Sequence, residues 1–396
     1  MKRMLTFGLT LLLAGTALFA DDAKVMPSLV GRFYVAPTFS FAPGFFDADG
    51  KYQSYDNGAV KVFNLGFALE FGLNDWITAA LQWVPGFTPW SNVEAAVPAA
   101  IAAFRSDNSY NTNGVADLFA GAKIQIAGEN APLKNSAVRF ALAPGLIIPM
   151  PGPEFDKEFE KVYKGEAITF SNMDNHVFGA GGRVYLDFVI NENFFINLYN
   201  ETIFYPLRRD LDRAGPNLAA AKELIPMGIF QEVYTSSIAS GHNEIVAGLI
   251  AGGARDAARS DLEEANGKVG YRYRLTFEIE PVYSTPIADG ISFSAGLPIN
   301  YRYTPAFDYS VSDVGNMVST MTGGQIDAEE ILLEQLKGTD EGRHSLSIIP
   351  NASIFITKTL LPLEFKLQYG IPVWGRDTMA RHNLVFQIRA YFAFGR

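Results

Sequence analysis

The sequence predicts an all-β fold, a closed antiparallel transmembrane β-barrel of about twelve strands (twelve to fourteen at most) with helical extracellular loops. Three observations carry the expectation. Apolar and polar residues alternate at a strict period of two over stretches much longer than the roughly five or six residues of an average soluble strand. The links between these stretches alternate short and long, which is the rhythm of outer-membrane barrels. The 396 residues include Gly 36, Phe 31 and Tyr 17 but only 19% charged residues, a composition that suits alternating strands better than helices.

In chain order, residues 1–20 come first. Lys2 and Arg3 precede an apolar run from Leu5 to Leu13, and Gly15, Thr16, Ala17 and Ala20 form a small-residue exit before Asp21. This pattern predicts a cleaved secretory signal peptide, leaving residues 21–396 as the barrel. No later run approaches the ~20 apolar residues of a spanning helix. Localisation in the bacterial outer membrane is the resulting expectation.

Alternation is clearest from Val60 to Leu73, where Phe63, Leu65, Phe67, Leu69, Phe71 and Leu73 interleave with Asn64, Gly66, Ala68, Glu70 and Gly72. It recurs from Val269 to Ile279 and from Ile291 to Tyr303. Extending it predicts strands over 28–42, 60–73, 76–86, 114–127, 136–149, 176–190, 194–206, 268–282, 290–304, 343–357, 361–373 and 382–394. Closure is a physical necessity, because backbone polar groups in hydrocarbon must all be paired and only a closed sheet has no edge.

Projecting the alternation inward places Arg32, Lys123, Arg139, Arg183, Arg272, Arg274, Arg302, Lys366 and Arg389 in the lumen with Glu70, Asp117, Asp187, Glu201, Glu278, Glu280 and Glu364. Most of these charges are expected to brace one another. Arg272, Arg274 and Arg302 also form a candidate basic ladder for an anionic group. Glu70, Asp117, Asp187, Glu278 and Glu280 are the candidate lumenal carboxylates. Helical loops are expected over Val93–Arg105, Asn243–Ala265 and Asp327–Lys337, with Val97, Ile101, Phe104, Ile245 and Leu249 as a candidate apolar capture surface.

The segment Gly114-Val115-Ala116-Asp117-Leu118-Phe119-Ala120-Gly121-Ala122-Lys123, with the apolar loops, resembles the outer-membrane hydrophobic-substrate channels: the FadL/TodX long-chain fatty-acid transporters and the MetA-pathway barrels of aromatic degradation. The resemblance implies capture of a hydrophobic solute and its diffusion through the barrel or sideways out of its wall. The chain departs from the fatty-acid group in strand number, twelve against fourteen, and in lacking the Asn-Pro-Ala signature of an N-terminal hatch; few residues precede its first strand, so no hatch is evident. The last strand, through Phe392 and Phe394, resembles the signal read by barrel assembly machinery, which is the expected biogenesis partner alongside outer-membrane lipid.

Other chemistry is excluded or weakly motivated. With Lys+Arg 32 against Asp+Glu 42 and a net charge of -10, the chain is no nucleic-acid binder. Zero cysteines exclude disulfides, thiol catalysis and Cys-ligated zinc. His176, His344 and His382 are expected on the lipid-facing side, as headgroup-level rings and not bases, and His242 in a loop; no Gly-x-Ser-x-Gly or His-Glu-x-x-His motif exists. Outer-membrane phospholipase A also uses a twelve-strand barrel, but position 346, where a nucleophile would follow His344, is Leu346. Asp47, Asp49 and Asp56 lack the bidentate Glu of a calcium loop and are expected to be an acidic surface loop. No cofactor, metal or enzymatic activity is expected. The leading functional expectation is passive uptake of small hydrophobic or amphipathic solutes, with an adhesive or structural surface barrel and a nonselective porin as alternatives.

Overall fold

The computed structural model describes residues 22–56, 58–92, 94–96, 111–151, 176–210, 216–264, 267–310 and 342–394. Among them twelve staves run antiparallel in sequence order: β1 (Val30–Ala42), β2 (Val60–Asn74), β3 (Ile77–Asn92), β4 (Asn111–Val115 and Leu118–Gly128), β5 (Val138–Ile148), β6 (Gly179–Val189), β7 (Phe194–Asp210), β8 (Lys268–Ala288), β9 (Ile291–Gly296, Ile299–Thr304 and Asp308–Ser310), β10 (Arg343–Ile348 and Asn351–Ile356), β11 (Leu363–Arg376) and β12 (His382–Ala393). β1 pairs with β2 on one side, Arg32 opposite Glu70, and with β12 on the other, Val30 opposite Ala393, so the sheet closes on itself.

Polarity is inverted relative to a soluble protein. Asp187, Asn197, Glu278 and Gln387 are buried, while Phe33, Leu69, Leu81, Phe188, Phe277, Ile299, Ile354 and Phe386 are exposed. In water an apolar band of this extent would be a liability; against hydrocarbon it is the required outer surface. Aromatic residues gather on the outside toward the long-link end, where Tyr273, Tyr303, His344 and Trp374 form one contiguous group.

Three departures from simple alternation have local causes. β9 and β10 are interrupted beside Pro298 and Pro350, which cannot donate to the ladder; the carbonyl of Pro298 accepts from Ile349 N and that of Pro350 from Tyr369 N, so the free groups are paired across the breaks. β4 is broken at Ala116 and Asp117. In β8, Arg272 adopts a left-handed backbone (φ 59°) beside a register shift against β7 between Tyr205 and Arg208. That bulge reverses the pleat, so Val269 and Tyr271 are buried and Arg272 is exposed.

The link between β7 and β8 forms a helical hairpin, α1 (Pro216–Ala239) and α2 (Glu244–Glu264). α2 matches the expected helix. α1 was not anticipated: Pro226 lies inside it and its apolar residues show no single face. The hairpin closes over small residues, with Ala247, Ala251 and Ala258 buried. The helices expected over Val93–Arg105 and Asp327–Lys337 lie outside the described residues, apart from a single turn at Glu94–Ala96.

The expected acidic loop folds upon itself. Asp47 Oδ1 accepts from the backbone N of Asp49 and Lys51, and its Oδ2 from Gln53 Nε2. These donors, Gln53 first, hold the Asp47 carboxyl below its ordinary range. Asp49 pairs with Lys51. Among the described residues no group of three His, Cys, Asp or Glu is placed to hold a metal ion.

Candidate functional site

The lumen is the candidate site, and register builds it. Because alternate residues of neighbouring strands face inward at the same level, Arg183 of β6 lies opposite Glu201 of β7, Thr276 of β8 opposite Arg302 of β9, and Glu364 of β11 opposite Arg389 of β12. These levels link into a transverse network. Arg32 Nη2 donates to Glu70 Oε2 at 2.5 Å, Gln82 Nε2 to Glu70 Oε1 at 2.9 Å, and Arg183 Nη1 to Gln82 Oε1 at 2.5 Å. Arg183 Nε donates to Glu201 Oε2 at 2.8 Å, Arg274 Nη2 reaches Glu201 Oε1 at 3.2 Å, and Tyr199 Oη donates to Glu201 Oε2 at 3.2 Å. The Arg183 guanidinium also lies 3.8 Å from the Phe119 ring centroid. A hydrogen-bonded belt therefore spans β1 to β8, its members strengthening one another in a low-dielectric interior.

Below the belt, toward the short-turn end, the barrel encloses a cavity of ≈ 490 Å³. Its wall mixes charge with aromatic surface: Arg32, Glu70, Arg183, Glu280, Lys366 and Arg389 beside Phe119, Tyr185, Phe195, Phe355 and Tyr391. Glu280 accepts from Asn351 Nδ2 at 2.8 Å, and Glu364 accepts from Arg389 Nη1 at 3.3 Å and Tyr391 Oη at 2.8 Å.

The floor of this cavity is the segment before β1, which sequence reasoning passed over as too short to be a hatch. Residues 22–28 turn into the barrel mouth. The buried Asp187 carboxylate accepts from Ala23 N at 3.1 and 3.2 Å and from Asn197 Nδ2 at 2.9 Å, and pairs with Arg139 Nε at 2.8 Å. Lys123 Nζ donates to the carbonyls of Asp22 and Lys24, Gln125 Nε2 to that of Ala23, and Met26 N donates to Thr78 Oγ1. Gly72 admits the segment, because a Cβ there would lie 2.1 Å from the Pro27 carbonyl oxygen. The available signal was Ala23, a small residue between Asp22 and Lys24, whose carbonyls Lys123 reaches.

The anticipated residues divide as follows. Arg274, Arg302, Glu70, Asp187, Glu278 and Glu280 face the lumen, and Glu278 accepts from Asn300 Nδ2 at 2.7 Å. Arg272 does not join the ladder: the bulge turns it outward, and Arg183 takes the place beside Arg274, with Glu201 between them. Asp117 is no open lumenal carboxylate, since at the break in β4 it accepts from Met150 N and His176 N. The His176 side chain is correspondingly buried and not lipid-facing, with Nδ1 3.3 Å from Asp117 Oδ1 and 2.7 Å from the Met150 carbonyl; its left-handed backbone (φ 50°) turns the chain inward before β6 begins. His344 and His382 stay on the aromatic exterior, bonded to the hydroxyls of Tyr301 and Tyr369. His242 is exposed in the turn of the hairpin. Ile245 and Leu249 are 77% and 73% exposed on α2, while Val97, Ile101 and Phe104 lie outside the described residues.

No protein-family model and no curated protein matches the sequence. Among solved structures, an outer membrane channel from Pseudomonas putida F1 is similar over 95% of this chain and 100% of that chain, with 12% identity and a TM-score of 0.55. A FadL homologue from Pseudomonas aeruginosa aligns with 99% of this chain and 98% of its own at 10% identity and a TM-score of 0.36. The CymD monoaromatic hydrocarbon channel aligns with 99% and 97% at 8% identity and a TM-score of 0.33. The last two are too distant to add to the assignment. The likeness to the first, with the inverted polarity of the wall, establishes the fold as that of an outer-membrane β-barrel.

Proposed function

We propose that the protein is a passive outer-membrane channel for small hydrophobic or amphipathic solutes, fatty-acid-like or aromatic, which are captured at apolar loop surface and diffuse through the lumen. The observation that carries this reading is the ≈ 490 Å³ cavity with six aromatic rings in a charged wall, room that a purely structural network would not leave. The exposed Ile245, Val246, Leu249 and Ile250 on α2 supply capture surface at the long-link end, which in this topology faces the exterior. The fold shared with the Pseudomonas putida channel is consistent with it. The signal peptide, assembly by the barrel machinery and residence among outer-membrane lipids belong to the same proposal, as does the absence of catalysis.

Single-channel recording of refolded protein in a planar bilayer tests the reading, with benzyl alcohol as the solute. The expected result is a small conductance that falls as benzyl alcohol is added. A large steady conductance indifferent to it would mean an open porin, and electrical silence throughout would move attention to the loops as a binding surface.

A further inference from the structure

We propose that Arg302, with Arg274 beside it, is a binding subsite for the carboxylate of an anionic amphiphile, so that the channel's solutes include a class bearing one negative charge. The inference rests on the channel reading above and narrows its substrate class.

Its origin is an imbalance of charge at one level of the lumen. Three guanidinium groups, Arg183, Arg274 and Arg302, lie around Glu201, with Glu278 as the second carboxylate in their neighbourhood. Both oxygens of Glu201 are committed: Oε2 accepts from Arg183 Nε and Tyr199 Oη, and Oε1 from Arg274 Nη2. Glu278 stands one rung away on β8, its Oε2 accepting from Asn300 on β9 and its Oε1 without a hydrogen-bond partner. Arg302 makes no ion pair within 4 Å among the described residues, and its buried Nε has no hydrogen-bond partner.

A guanidinium whose fork is bonded to no carboxylate has its best partner in an incoming one, which it binds bidentately. The side chain is only partly buried, so the lumen reaches it. Arg183 is shared by this level and the cavity wall, placing the aromatic surface of Phe119 within the same space for the apolar part of the solute. One end of an amphiphile thus meets charge and the other meets rings.

The test compares benzoate with benzyl alcohol, equal in ring and different in charge, as blockers of single-channel current in wild type, Arg302→Gln and Arg302→Lys. Folding of each variant is checked by its heat-modifiable mobility on gels. Arg302→Gln is expected to raise the half-blocking benzoate concentration about tenfold while leaving benzyl alcohol unchanged, and Arg302→Lys is expected to retain most of the benzoate effect. In a potassium chloride gradient the reversal potential of Arg302→Gln should also move toward cation preference. Equal shifts for both blockers, or none for benzoate with an unmoved reversal potential, would overturn the subsite. Failure of both blockers on wild type would instead remove the amphiphile channel, while the reversal potential would still decide whether Arg302 meets anions.

Discussion

Glu201→Ala is expected to destabilise the barrel by about 3–5 kcal/mol, the largest single-residue effect in the lumen. The carboxylate is buried and accepts from Arg183, Arg274 and Tyr199, so its removal takes this counter-charge from two lumenal guanidinium groups and the acceptor from a buried phenol. The loss arises from stranding those charges, since an ion pair has a small net value when both partners are replaced together. Urea unfolding in phospholipid vesicles measures it. The double replacement of Glu201 and Arg183 by apolar residues should recover part of the loss; a change below ~1 kcal/mol for Glu201→Ala would mean that the belt is loosely solvated and not a structural girdle.

Phe67→Arg is expected to cost about 2–4 kcal/mol, and Leu73→Arg on the same strand about 0–1 kcal/mol. Both side chains point outward from β2, but Phe67 lies at the middle of the strand, packed against Phe33 and Phe87, whereas Leu73 lies beside the turn. Depth in hydrocarbon therefore separates two substitutions that a soluble protein would treat alike. Similar unfolding midpoints for the two would contradict the placement of this wall in a bilayer.

How far the sequence was legible follows from what alternation can and cannot encode. Every strand from β1 to β12 was readable because each lipid-facing position must be apolar; the dyad of Phe63 to Leu73 is the bilayer written into the chain. A bulge leaves no such mark. At Arg272 the residues on both sides still alternate, and only the left-handed backbone and the slip at Tyr205 reveal that the face has changed. Prolines were the readable warning at Pro298 and Pro350, where unbroken strands were expected.

The site was less legible than the fold because it depends on register between strands distant in sequence. Arg183 and Glu201 were visible as inward residues, but Gln82, which ties Glu70 to Arg183 from 101 positions away, has nothing in its neighbourhood to single it out. The same limit hid the insertion of Ala23 under Asp187, a contact 164 residues apart. α1 was illegible for the opposite reason: its apolar residues have no periodic face, and Pro226 reads as a helix breaker.

The central claim, that amphipathic solutes pass through this barrel, is tested most directly by uptake into protein-bearing vesicles of 4-toluenesulfonate, a permanently ionised aromatic that crosses bare lipid slowly, set against glucose. The account predicts protein-dependent entry of the sulfonate well ahead of glucose. Entry of both at equal rates, or of neither, would contradict it.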